Sequence, residues 1–136
     1  MPAVLAIDQG TTGTTVVAVD RQLNVIAKEN REFRQIFPKP GWVEHDLDDI
    51  WRSTEETIAR VLAGVGAARI AAIGITNQRE TVGLWERGSS RPVHNAIVWQ
   101  CRRTADRCEA LKKKGLEQEI RARTGLLLSP HYVGPK

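Results

Sequence analysis

The stretch Ala3-Val4-Leu5-Ala6-Ile7-Asp8-Gln9-Gly10-Thr11-Thr12-Gly13-Thr14-Thr15-Val16-Val17-Ala18-Val19-Asp20 decides how the chain begins to fold. Residues 3–8 are a short apolar run, and residues 14–20 are a second one, rich in valine and threonine. So few residues separate them, and those are so punctuated by glycine, that the pair predicts an antiparallel hairpin. A turn around Asp20 to Asn24 then leads into a third predicted strand over 25–34. Pro38-Lys39-Pro40-Gly41 must be a loop, since neither proline nor glycine suits an element interior.

Outward from the hairpin, the clearest helix begins at Asp46. Leu47, Ile50, Trp51, Thr54, Ile58, Val61 and Leu62 recur at helical spacing and predict one apolar face. Asp46 suits the N-cap, Asp48 and Asp49 suit the first-turn dipole, and Gly64 suits the stop. Ile70 to Thr76 reads as a buried strand, Thr81 to Trp85 as another, turned by Gly88-Ser89-Ser90, and Ala96 to Trp99 as a further one. Helices are predicted over 103–114 and 116–124, ended by Gly115 and Gly125. An antiparallel start followed by a crossover helix makes the fold class α/β with a mixed sheet and flanking helices.

At 136 residues the chain has room for one domain with a real core. Apolar residues at 41% and charged residues at 26% exclude disorder and collagen-like repeats. No apolar run is long enough to span a membrane, and the start meets an acid too soon for a signal peptide. Cys101 and Cys108 lack partners at metal-ligand spacing, which predicts reduced thiols in a cytoplasmic protein. His45, His94 and His131 are scattered, which argues against a metal triad. The net charge of +4 does not predict a nucleic-acid partner, because its one compact basic run, Lys112-Lys113-Lys114, suits a helix end beside Gly115. Leu126-Leu127-Leu128 has no later element to cover it, so the chain is expected to be a piece of something longer.

Three clusters could carry chemistry. A P-loop and a dinucleotide fingerprint are both absent. Instead Asp8 ends the first strand and a Gly-Thr-Thr-Gly-Thr turn follows over residues 10–14. Such a turn can cradle phosphate oxygens with backbone N–H groups and threonine hydroxyls, with Asp8 reaching Mg²⁺ through water. An ordinary hairpin with a turn-forming acid is the plainer reading of these residues taken alone. Arg79 and Glu80 follow the carboxyl end of the Ile70–Thr76 strand, where open α/β sheets bind ligands. A fixed donor beside a fixed acceptor suits neighbouring hydroxyls of a polyol, and a surface ion pair is the plainer alternative. Trp99 offers a flat wall to carbon–hydrogen faces, or is a core tryptophan.

Taken in order, these clusters resemble the amino-terminal part of glycerol kinases, in the FGGY carbohydrate-kinase family. The matching stretches run over 6–12, 38–46 (Pro38-Lys39-Pro40-Gly41-Trp42-Val43-Glu44-His45-Asp46), 73–81 (Ile73-Gly74-Ile75-Thr76-Asn77-Gln78-Arg79-Glu80-Thr81) and 95–105. The resemblance implies an actin-like, ribonuclease-H-like fold, with residues 1–136 the amino-terminal part of the first of two closing domains and the remainder of the kinase absent. It implies ATP and Mg²⁺ as cofactors, glycerol as substrate, and a homo-oligomer as the full-length protein. Thr11, Thr12 and Gly13 would lie in the phosphate-binding turn, with Asp8 near the metal. Arg79 and Glu80 would hold glycerol hydroxyls, and Trp99 would flank the carbon chain. Two positions depart from the pattern: Thr15 stands where many glycerol kinases carry arginine, and His131 where a tyrosine usually completes the polyol site. The catalytic base is expected beyond residue 136. Another polyol or keto-sugar as substrate, or an inert phosphate-binding fragment, remains the alternative.

Overall fold

A computed structural model describes residues 1–136, which form two compact units. The first comprises residues 1–34 and 46–78, the second residues 35–45 and 79–136.

In the first unit, β1 (Ala3–Gln9), β2 (Gly13–Val19), β3 (Val25–Glu32) and β5 (Ile70–Asn77) form a sheet of order β3-β2-β1-β5. β1 and β2 pair antiparallel with Val4 opposite Val19 and Gln9 opposite Thr14, the hairpin expected from the opening stretch. β5 runs parallel to β1, setting Asp8 beside Thr76. β1 alternates as a strand covered on one side must: Ala3, Leu5 and Ile7 are buried, while Val4, Ala6 and Asp8 face outward. The covering element is α1 (Leu47–Val65), which lies chiefly over β2 and β3. Leu5, Ile7, Val16, Ala18, Val61 and Val65 make the core, with Ala27, Ile58 and Ile70 against it.

α1 starts where expected, with the Asp46 carboxylate accepting the Asp48 N–H at 2.8 Å. Its buried stripe differs from the one predicted. Ser53, Thr57, Val61 and Val65 face the sheet, whereas Trp51 is 63% exposed. Small side chains let the helix lie close, and the Ser53 and Thr14 hydroxyls then hydrogen-bond at 2.9 Å inside the unit. Trp51 is two residues, some 200° of helix, away from Ser53 and so cannot share that face. Gly64 does not stop the helix either. It continues to Val65, which completes the stripe, and Gly66 at φ 86° caps it by donating to the Leu62 carbonyl.

β5 carries the largest correction. An Ile-rich run predicts a strand buried on both faces, yet Ile73 is 61% exposed and Ile75 74%. β5 is the edge of the sheet, and α1 does not extend over it.

The second unit is built on an antiparallel sheet of order β4-β7-β6, from β4 (Glu44–His45), β6 (Val82–Trp85) and β7 (Pro92–Ile97). The last strand was expected over 96–99. Its pairing ends at Ile97 instead, because Val98 N–H donates to Val43 and its carbonyl accepts from Cys101 in a turn, leaving Trp99 beyond the strand. α2 (Ala105–Lys113) begins two residues later than predicted, because Ala105 N–H donates to the Arg102 carbonyl in a turn and Thr104 is the N-cap. α3 (Leu116–Thr124) spans the expected residues, between Gly115 and Gly125 in the left-handed region. Leu128 is buried, while Leu126 and Leu127 stay exposed.

Candidate functional site

The turn after β1 is held by its own backbone: Gly10 N–H donates to the Gly13 carbonyl at 2.9 Å, and the Gln9 amide donates to Gly10. Asp8 is exposed at the strand end, Thr11 is half-buried and Thr12 exposed. Glycine at 13 has a local cause. A Cβ there would lie 2.6 Å from the Arg31 carbonyl oxygen and 2.8 Å from Glu32 Cα, so β3 could not approach. The Thr14 hydroxyl is engaged with Ser53 and lies buried, so it is turned toward α1 and away from solvent. Thr15 accepts from the Asn30 amide at 2.8 Å. No cluster of three or more histidine, cysteine or acidic side chains could cage an ion. Mg²⁺ needs no such cage, because it keeps several waters and takes one or two carboxylates plus phosphate oxygens. An exposed lone Asp8 fits that kind of binding.

The remaining predicted residues belong to the second unit. Arg79 is exposed. Glu80 is half-buried with its backbone at φ 63°, a left-handed conformation uncommon for a residue with a Cβ. The two form no ion pair with each other; Glu80 Oε2 accepts the Val133 N–H at 2.9 Å instead. Trp99 is half-buried, its backbone N–H donating to the Thr81 hydroxyl at 3.2 Å. Its ring meets His131 edge-to-face at 5.4 Å between centroids, and His131 meets Tyr132 at 5.1 Å. Trp99, Cys101, Arg102, Ser129, Pro130 and His131 line a cavity of about 310 Å³. Glu80, Trp99 and His131 are thus drawn together from segments far apart in the chain.

Beneath this wall lies a group that the sequence reading missed. Arg103 donates to Glu44 Oε1 at 2.6 Å, Asn95 donates to Glu44 Oε2 at 3.0 Å, and the Arg103 guanidinium stacks 3.9 Å from the Trp42 ring. Burial works against the charge on Glu44, but the bonds from Asn95 and Arg103 outweigh it and hold the carboxyl below its ordinary range. Arg103 Nε also reaches Cys101 Sγ at 3.0 Å. Burial raises that thiol, and the bonds from Arg103 and from the Val43 N–H more than reverse it. Two charges 59 residues apart carry no spacing signal, so only the fold reveals the pair.

Residues 3–136 match the model of the FGGY family of carbohydrate kinases, N-terminal domain. The chain belongs to that family. It is 58% identical to a glycerol kinase of Myxococcus xanthus and 54% identical to one of Salmonella arizonae, each over 98% of this chain and 27% of the relative. The FGGY chain therefore spans about a quarter of the length of these curated relatives. Among solved structures, a Plasmodium falciparum glycerol kinase with ADP superposes with a TM-score of 0.91 at 32% identity, over 99% of this chain and 28% of that one. A xylulose kinase from Lactobacillus acidophilus, at a TM-score of 0.89 and 24% identity over 96% of this chain and 26% of that one, shares the fold. The mixed sheet with flanking helices is thus the actin-like fold of the sugar-kinase amino-terminal domain.

Proposed function

We propose that the protein to which this chain belongs transfers the terminal phosphate of ATP to a terminal hydroxyl of glycerol, giving glycerol 3-phosphate. The observation that carries the reading is the identity of 58% and 54% to glycerol kinases over nearly all of this chain. Chemistry supports it independently, because an acceptor (Glu80), a cation (Arg79) and an aromatic wall (Trp99, His131) occur in one unit. A three-carbon polyol asks for such a set: charged groups for its hydroxyls and a flat face for its carbon–hydrogen edge.

In this reading Arg79 and Glu80 orient two hydroxyls and Trp99 flanks the carbons. Thr11, Thr12 and Gly13 line the phosphate turn, and Asp8 holds Mg²⁺ through water. The metal, when bound, neutralises charge on the phosphate oxygens. The chain's own residues do the positioning, which is most of what phosphoryl transfer asks of a protein. The base that accepts the hydroxyl proton lies outside residues 1–136. His131, where a tyrosine is usual, completes the wall and tunes substrate preference. The protein acts in the cytoplasm as a homo-oligomer, and no helix of this chain is long and apolar enough to cross a membrane.

A coupled assay of the full-length protein with glycerol, xylulose and erythritol tests the substrate. Glycerol is expected to give the highest kcat/KM. Arg79→Ala should lower that constant roughly 10- to 100-fold, as expected for losing hydrogen bonds from a charged donor. Unchanged glycerol turnover in Arg79→Ala would sink the polyol assignment, and a preference for xylulose would move it to the keto-sugar kinases.

A further inference from the structure

Glu80 has an unusual backbone, and the structure contains what stabilises it. A non-glycine residue at φ 63° persists only where its surroundings over-determine the conformation. Three bonds do so here. Val133 N–H donates to Glu80 Oε2 at 2.9 Å. Lys136 Nζ donates to the Glu80 carbonyl at 3.0 Å and to the His131 carbonyl at 2.8 Å. The Lys136 N–H closes the loop by donating to the Val133 carbonyl at 3.0 Å.

We propose that Lys136 is a positioning residue: its ammonium straps the left-handed Glu80 to the segment carrying His131, so that both are presented to the polyol in one fixed arrangement. An ammonium on a flexible four-carbon stem carries three donors and no acceptor, which suits two carbonyls from separate segments. With Oε2 fixed by Val133, the Glu80 rotamer is set and Oε1 is left to accept from a substrate hydroxyl. On the other side of the strap, Ser129, Pro130 and His131 line the cavity with Trp99. The Lys136 side chain is partly withdrawn from water, and that burial holds its ammonium below the ordinary lysine range, in keeping with a group engaged by protein. Lys136 itself does not line the cavity and acts through its neighbours.

The inference rests on the polyol-kinase reading for its kinetic consequence, and the experiment separates the two. Lys136→Met and Lys136→Arg are made in the full-length protein, with Lys136→Gln in reserve should the Met variant not fold. In Lys136→Met the glycerol KM is expected to rise on the order of tenfold, with the ATP KM, kcat and melting temperature little changed. Lys136→Arg, which still donates to both carbonyls, should recover most of that loss. Hydrogen exchange of amides 129–136, which needs no substrate, should quicken in Lys136→Met. An unchanged glycerol KM with unchanged exchange overturns the strap. So does a rise in both KM values alongside a fallen melting temperature, since that marks a merely structural lysine. If the wild-type protein turned over no polyol, the kinase reading would fall, and exchange would still decide the strap: faster in Lys136→Met upholds it, unchanged overturns it.

Discussion

Asp8 and His45 illustrate how the same elementary physics gives side chains opposite tasks. Asp8 is exposed at the end of β1, with no acidic neighbour set to share an ion. Asp8→Asn should therefore leave the fold intact, while Mg²⁺-dependent turnover of the full-length protein drops steeply because the carboxylate's charge is lost. Melting temperature and turnover measured on one sample check this; loss of both together would mean that Asp8 serves the turn and not the metal. His45 is wholly buried, with Nε2 2.7 Å from Gln35 Oε1, and burial pushes the imidazole down to about 4. The folded state thus resists a proton that the unfolded chain accepts near 6.5. Stability from this group is whole above pH 6.5 and is lost as pH falls toward 4, by up to about 3 kcal/mol. Urea unfolding of wild type and His45→Gln across that window should converge as pH falls, and parallel curves would refute the assignment. The strand-end position of Asp8 was legible in sequence because the apolar run and the glycine turn that bracket it are local. His45 was not, because burial is a property of the packed unit.

At the scale of elements, the spacing between β2 and β3 depends on one missing methyl group. Gly13 pairs opposite Glu32, and an added Cβ would press on Arg31 and Glu32 backbone atoms that no side-chain rotation can move. Gly13→Ala should cost about 1–3 kcal/mol by forcing the strands apart. A thermal melt of the full-length variant within a degree of wild type would contradict this. The sequence alone suggests only a turn role for this glycine; the close approach of β3 is visible only in the fold. α1 teaches a related lesson. Its start, N-cap and amphipathic character are local and were legible. Its rotation about its axis was not, because apolar periodicity points to Trp51 while close approach favours Ser53 and Thr57 against Thr14. The mate of a small, hydroxyl-bearing helix face is another hydroxyl, and a hydropathy pattern gives such a face no weight.

For the molecule as a whole, the sheet of the first unit ends at β5 with Ile73 and Ile75 exposed, and Leu126 and Leu127 are exposed in the second. Large apolar side chains left uncovered drive association in water. The polypeptide of residues 1–136, prepared alone, is therefore expected to self-associate, to bind ATP weakly at best, and to show no kinase activity, since domain closure supplies desolvation and alignment. Light scattering and a coupled kinase assay check both halves. A monodisperse monomer with glycerol-dependent ATP consumption would mean that a catalytic base lies within these residues after all.

What the sequence by itself determined are the features that depend on neighbours in the chain: the β1–β2 hairpin, the Asp46 cap, the extent of α3, and the ordered motifs that carry the family. Its candidate residues Asp8, Thr11 to Gly13, Arg79, Glu80 and Trp99 could be named from local motifs, and His131 only from the resemblance to the family. Only the tertiary structure decided which of them meet. Glu80 and His131 are joined through Val133 and Lys136, Trp99 faces His131, and Glu44 holds Arg103 beneath them. The physical reason is that hydrogen bonds and ring contacts are satisfied by proximity in space, which the intervening chain neither encodes by spacing nor reveals by composition. Burial obeys the same limit, since an isoleucine-rich strand is buried only if another element is there to lie on it, and on β5 none of this chain's elements does.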